Sequence, residues 1–166
     1  MHITTSRHAV LVAVLGAAVI ATATQAHAQK KDLLLGNWHL DLAKSTFTAA
    51  AAPASRSMMF SAVPNGLSET ITTTTSGNGS LTYKLVYTAK FDGKDYPADV
   101  ASAFDTVSIK RIDTNNVERL GKVKGQVVQT ETYTVSPDGR TLTVKQEGTN
   151  NGVPFKSTQV FERSAS

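Results

Sequence analysis

From Gly36 to Phe47 the chain reads GNWHLDLAKSTF, so Trp38, Leu40 and Leu42 alternate with Asn37, His39 and Asp41. Successive side chains of a strand point to opposite faces, and this spacing predicts one apolar and one wetted face. The longest repeat of the pattern is Leu81, Tyr83, Leu85, Tyr87, Ala89 and Phe91. Thr82, Lys84, Thr88 and Lys90 fill its other side, with Val86 the apolar exception. Val107 and Ile109 repeat it briefly, as do Leu142 and Val144 between Thr141, Thr143 and Lys145. Such one-sided strands belong to an antiparallel sheet with water on one side. Turn residues separate the runs at Asn65-Gly66, Gly77-Asn78-Gly79, Asp92-Gly93, Asn115-Asn116, Gly125, Pro137-Asp138-Gly139 and Asn150-Asn151-Gly152. Asn-Gly and Asp-Gly tolerate the positive φ of hairpin turns, so the spacing predicts nine or ten strands joined as neighbouring hairpins.

No segment has helical period. Thr48–Arg56 (TAAAAPASR) contains an alanine run broken by Pro53 and reads as a long surface loop with room for one helical turn. Two strands are less tidy. If Val127, Tyr133 and Val135 face inward, Gln129 and Glu131 accompany them; Ser157, Gln159 and Arg163 likewise share the face of Phe155 and Phe161. Polar groups inside a solid core are costly without partners. Either the phase breaks at a bulge, or the interior is partly wet and holds a cavity.

The first residues carry a different signal. A short polar start with Arg7, an apolar run from Ala9 to Ile20 and the small-residue sequence Ala26-His27-Ala28 fit a secretory signal peptide cleaved near Ala28. The run is shorter than the roughly 20 residues of a membrane span, so no stable membrane anchor is expected. Removing Met1–Ala28 lowers the basic count from 17 to 16 against 13 acids, and the net charge from +4 to +3. With no block of like charge, nucleic acid is not an expected partner. There is no cysteine, which excludes disulfides, thiolate metal sites and thiol catalysis. Residues 29–166 then form one domain, expected in the periplasm or outside the cell.

A many-stranded meander leaves a closed barrel or a sandwich. Gly36-x-Trp38 in the first strand and Arg163 in the last resemble the signature of the calycin superfamily, which includes lipocalins, fatty-acid-binding proteins and avidins. In addition, Gly36–Phe47, Tyr87–Pro97 (YTAKFDGKDYP), Asp105–Asp113 (DTVSIKRID) and Asp138–Val144 (DGRTLTV) are similar to small exported bacterial lipocalin-like proteins. The resemblance implies an all-β up-and-down barrel of about eight to ten strands, with the indole at the closed end under a last-strand arginine. Leu33-Leu34-Leu35 would plug that end. Two departures matter: the chain ends three residues after Arg163, leaving no room for the C-terminal helix of animal lipocalins, and Thr130-Glu131-Thr132-Tyr133 only loosely echoes their middle motif.

Candidate chemistry is sparse. His39 is the one histidine outside the processing segment, and its phase points to solvent, which argues against a Ser-His-Asp triad, a zinc site or a haem ligand. Asp92, Asp95 and Asp99 gather around Gly93 without the spacing of an EF-hand, and a solvated hairpin is the simpler expectation. Glu131 is the acid whose phase can turn it inward, with Arg119 as a structural partner. Phe60, Tyr83, Leu85, Tyr87, Tyr133 and Phe161 are the expected lining of an internal cavity, and Gly36, Trp38 and Arg163 the structural closure. These residues support a non-catalytic protein that binds a small apolar or amphipathic ligand, with no cofactor or metal. The alternative is an envelope interaction module or peptidase-inhibitor-like barrel with a filled interior, using the Thr48–Arg56 loop.

Overall fold

The computed structural model describes residues 32–49, 51–99, 103–150 and 152–164; Met1–Ala28, expected to be a signal peptide, lies outside them. Threonine- and valine-rich alternation between glycine turns yields ten strands. They are β1 (Gly36–Thr48), β2 (Ser55–Val63), β3 (Gly66–Thr74), β4 (Thr82–Lys90), β5 (Tyr96–Pro97), β6 (Thr106–Arg111), β7 (Asn116–Val123), β8 (Gln126–Val135), β9 (Thr141–Asn150) and β10 (Val153–Arg163). All pair antiparallel in one sheet of order β4-β3-β2-β1-β10-β9-β8-β7-β6-β5. The first and last strands meet, with Trp38 opposite Arg163 and Leu40 opposite Phe161. The remaining edges, β4 and β5, are latched by a bridge between Tyr87 and Ala98 and by a bond from Asp99 N–H to Val86 C=O. The result is a nearly closed up-and-down barrel, as expected, and not two separate packed sheets.

The floor of the barrel joins the first strand to the last. Gly36 adopts a φ of 119°, a conformation open to glycine, and a side chain there would strike the Arg163 guanidinium. Trp38 is fully buried, its indole N–H donating to Leu34 C=O at 2.9 Å. Arg163 lies 4.1 Å from the indole centroid, a cation–π contact. Its fork also donates to the carbonyls of Gly139 at 2.6 Å and Leu35 at 2.7 Å, and to that of Leu33. Leu34 is buried beneath, with Leu33 and Leu35 packed beside it. Above this floor Phe60, Phe161, Leu67, Ala89, Val107, Ile109, Val117, Val135, Leu142 and Val144 fill the lower interior, with Phe60 set edge-on to Tyr133.

Several expectations fail locally, each for a backbone reason. Leu42 is 41 % exposed, because β1 bulges between Asp41 and Thr46 while β10 advances only from Val160 to Thr158. Ser45 Oγ accepts the Val160 N–H at 2.9 Å across this break, replacing a lost ladder bond. Val127 is turned out, since the β7–β8 register slips between Gly121 and Lys122, whereas Gln129 and Glu131 keep the inward phase. The register slip thus turns Val127 out, while the inward Gln129 and Glu131 find polar partners. Leu81 and Tyr83 stand at the open rim and are largely exposed. The Thr48–Arg56 segment is shorter as a loop than expected, because β1 runs to Thr48 and β2 starts at Ser55; no helical turn forms among its described residues.

Candidate functional site

Ladder register dictates the polar interior. Residues facing one another across neighbouring antiparallel strands point to the same side of the sheet. Arg119 on β7 pairs with Glu131 on β8, Glu131 with Gln146 on β9, and Gln146 with Ser157 on β10. One inward row is therefore a belt of four polar side chains. Deeper in the barrel Glu69 on β3 pairs with Tyr87 on β4. Nearer the rim Arg56 on β2 pairs with Thr73 on β3.

Within this belt the partners are specific. Arg119, only 2 % exposed, sends Nε to Glu131 Oε2 at 2.7 Å and Nη2 to the same oxygen at 2.5 Å. Tyr133 O–H reaches Glu131 Oε2 at 2.7 Å, and Gln129 Nε2 donates to Oε1 at 2.7 Å. Glu131 thus meets four donors, three at Oε2 and one at Oε1. The Arg119 guanidinium also sits 5.8 Å from the Tyr87 ring and 5.5 Å from the Phe104 ring. Its Nη1 is buried and has no hydrogen-bond partner among the described residues. A buried donor without a partner costs about 1–3 kcal/mol, more when charged, so this atom stands out chemically.

Glu69 is fully buried. Tyr87 O–H donates to its Oε2, and Tyr133 Oη lies 3.1 Å from its Oε1 and 3.3 Å from its Oε2. Burial pushes the Glu69 carboxyl up to about 7, against the opposing pull of Arg119 and the Tyr87 bond. Burial, aided by the neighbouring carboxylates, also holds the Tyr87 and Tyr133 hydroxyls well above the usual phenol range. A second network closes the belt: Arg56 donates from Nε to Thr73 Oγ1 at 3.0 Å and from Nη1 to Gln159 Oε1 at 2.7 Å. Gln159 Nε2 in turn reaches Gln146 Oε1 at 2.8 Å and Ser157 Oγ at 2.9 Å.

Between the belt and the open end lies a cleft of about 120 Å³ lined by Arg56, Ile71, Thr73, Tyr83, Lys84, Leu85, Ala103, Phe104, Arg119, Gln129, Glu131 and Gln146. Its volume is close to that of an engineered cavity that accepts benzene, and well below a drug-sized pocket. Of the residues expected to line a cavity, Tyr83 and Leu85 line the cleft. Tyr87 and Tyr133 sit behind it in the Glu69 cluster, while Phe60 and Phe161 belong to the packed interior below. Arg119 meets Glu131 as its structural partner, as the strand phase suggests. Glu69 and Arg56 escaped the sequence reading, although Leu67 and Ile71 set a period of two that places Glu69 inward.

Other candidates resolve into local structure. His39 is exposed. Asp92 accepts from Lys94 N–H at 3.0 Å and Tyr96 O–H at 3.0 Å, and Asp95 pairs with Lys122 at 2.6 Å. Among the described residues no three histidines, cysteines or carboxylates converge as a metal cage. The sequence matches no family model and no curated protein.

Proposed function

We propose that this chain is an exported lipocalin-like barrel that binds a small amphipathic molecule in the cleft at its open end, without chemistry. The observation that carries the reading is the Arg119 guanidinium, which lines that cleft and whose buried Nη1 has no hydrogen-bond partner among the described residues. A ligand offering an acceptor to this guanidinium would gain a charge-assisted bond, and Ile71, Leu85 and Phe104 offer apolar contact to its other end. The interior below is filled, so the ligand is small or leaves part of itself outside the mouth. The export signal at Met1–Ala28 and the similarity to lipocalin-like proteins support a periplasmic or extracellular carrier.

The test is incubation with an envelope extract followed by native mass spectrometry. A retained small molecule is expected in the wild type and is lost in Ile71→Trp, which fills the cleft. A wild-type protein that emerges empty overturns the reading. One observation favours the interaction-module alternative: Leu81, Tyr83, Val127 and Val153 expose apolar surface near the open-end turns. Capture of a protein by an empty barrel, abolished by Leu81→Asp, would replace the carrier with that module.

A further inference from the structure

Hydrogen atoms are one short in the buried cluster. Three hydroxyl–carboxyl contacts exist: Tyr87 with Glu69, Tyr133 with Glu69, and Tyr133 with Glu131. Two phenols supply two protons. Tyr133 has a single proton, and its shorter contact, 2.7 Å, is to Glu131 Oε2, against 3.1 Å to Glu69 Oε1. If Tyr133 donates to Glu131 and Tyr87 to Glu69 Oε2, the remaining contact becomes a hydrogen bond when Glu69 Oε1 carries a proton and donates it to Tyr133 Oη.

The charges around the cleft respond to that proton. Glu69 faces Tyr87 from β4, Arg119 from β7, and Tyr133 and Glu131 from β8. From β2 it meets the apolar Phe60, while the Arg56 side chain of that strand is bonded to Thr73 and Gln159. With Glu69 neutral, Arg119 answers to Glu131 alone, and the cleft lining carries Arg56, Lys84 and Arg119 against one carboxylate. With Glu69 ionised, a second buried carboxylate draws on the same guanidinium. An arriving anion and ionised Glu69 therefore compete for Arg119.

We propose that the cleft takes small monoanions in a proton-coupled manner: the anion pairs with the Arg119 guanidinium while one proton from solvent is held between Glu69 and Tyr133. This rests on the cleft being the ligand site. The sign follows from the competition: a bound anion favours the protonated carboxyl, so binding takes up a proton, holds firm below neutrality and weakens as pH rises through the Glu69 midpoint of about 7.

The experiment pairs a ligand-free observable with a binding one. Infrared spectra of the free protein are expected to show a carboxylic-acid carbonyl band at about pH 6 that fades by about pH 8 and is missing in Glu69→Gln. Calorimetry with benzoate, repeated in buffers of different ionisation enthalpy, is expected to show close to one proton taken up at about pH 8 and far less at about pH 6. Benzoate affinity should fall by up to about tenfold per pH unit above neutrality in the wild type and stay level in Glu69→Gln. Benzyl alcohol, the neutral control, should show no such slope. Absence of the acid band at about pH 6, or benzoate binding independent of pH, overturns the proposal. Benzyl alcohol binding without benzoate binding overturns it and leaves the cleft reading standing; if neither probe binds, both fall. Should Glu69→Gln not fold, the wild-type band and proton count decide alone.

Discussion

Glu69→Gln isolates the energetic consequence of one buried proton. The folded state holds that carboxyl at about 7 against an ordinary value of 4.5. Between those values the native chain binds a proton that the unfolded chain releases, so stability falls as pH rises. The contribution is fully present below about 4.5, and is lost by the time pH passes about 7. At about 1.4 kcal/mol per pH unit, the difference amounts to roughly 3 kcal/mol. Glu69 is 0 % exposed, so solvent screening gives no reason to reduce the figure. Glutamine keeps the shape and the donor–acceptor pattern of the neutral acid: its oxygen accepts from Tyr87 and its amide donates to Tyr133. Urea unfolding of both proteins, followed by Trp38 fluorescence, provides the assay. The stability of wild type minus variant should fall steadily across that window and level off above it. Asp41, Asp92, Asp113 and Asp138 are held low chiefly by hydrogen bonds, from Lys44, Lys94 N–H, Asn116 and Ser136 respectively, and slope the opposite way at lower pH. They are common to both proteins and cancel in the difference. A level difference across the window, or a variant less stable than wild type at about pH 8, refutes the reasoning.

Three further outcomes are expected. Trp38→Ala should cost about 3–5 kcal/mol in chemical denaturation, because it empties the floor beneath Arg163; a variant as stable as wild type would contradict that packing. Arg119→Met should lose about 3–5 kcal/mol by stranding the Glu131 carboxylate, and the Arg119→Met, Glu131→Leu double variant should recover most of it; equal losses in a thermodynamic cycle would deny the pair. Gly66→Ala places a methyl 2.0 Å from the Ala89 carbonyl oxygen, so the β3–β4 hairpin must shift and the melting temperature must drop by several degrees.

Most of the architecture was legible because alternation and turn chemistry are local properties. The Leu85, Tyr87, Ala89 series and the Asn65-Gly66 turn required no knowledge of their neighbours. Trp38 and Arg163 were legible for another reason: a rare indole near one end and a guanidinium near the other match a known way of sealing a barrel. The site was harder. Arg119, Glu131, Gln146 and Ser157 come from four strands, and their meeting depends on three registers that hydrophobic spacing does not specify. Glu69 hid in the run SETITTTT, where threonine occupies both faces and masks the phase set by Leu67 and Ile71. Leu42 and Val127 were misplaced because bulges insert residues without altering composition, so no periodic pattern announces them.

The meeting of β1 with β10 has a kinetic meaning. Each hairpin along the meander joins stretches adjacent in the chain, whereas the bond from Arg163 to Leu35 spans 128 residues. Ordering so large a loop is entropically expensive, and distant pairings of this kind slow folding. Hairpins can therefore assemble early while the ring stays open, and the final strand acts as the clasp. Since the chain has a single tryptophan and it lies under that clasp, its emission should track the slowest refolding phase and serve as an intrinsic clock for barrel closure.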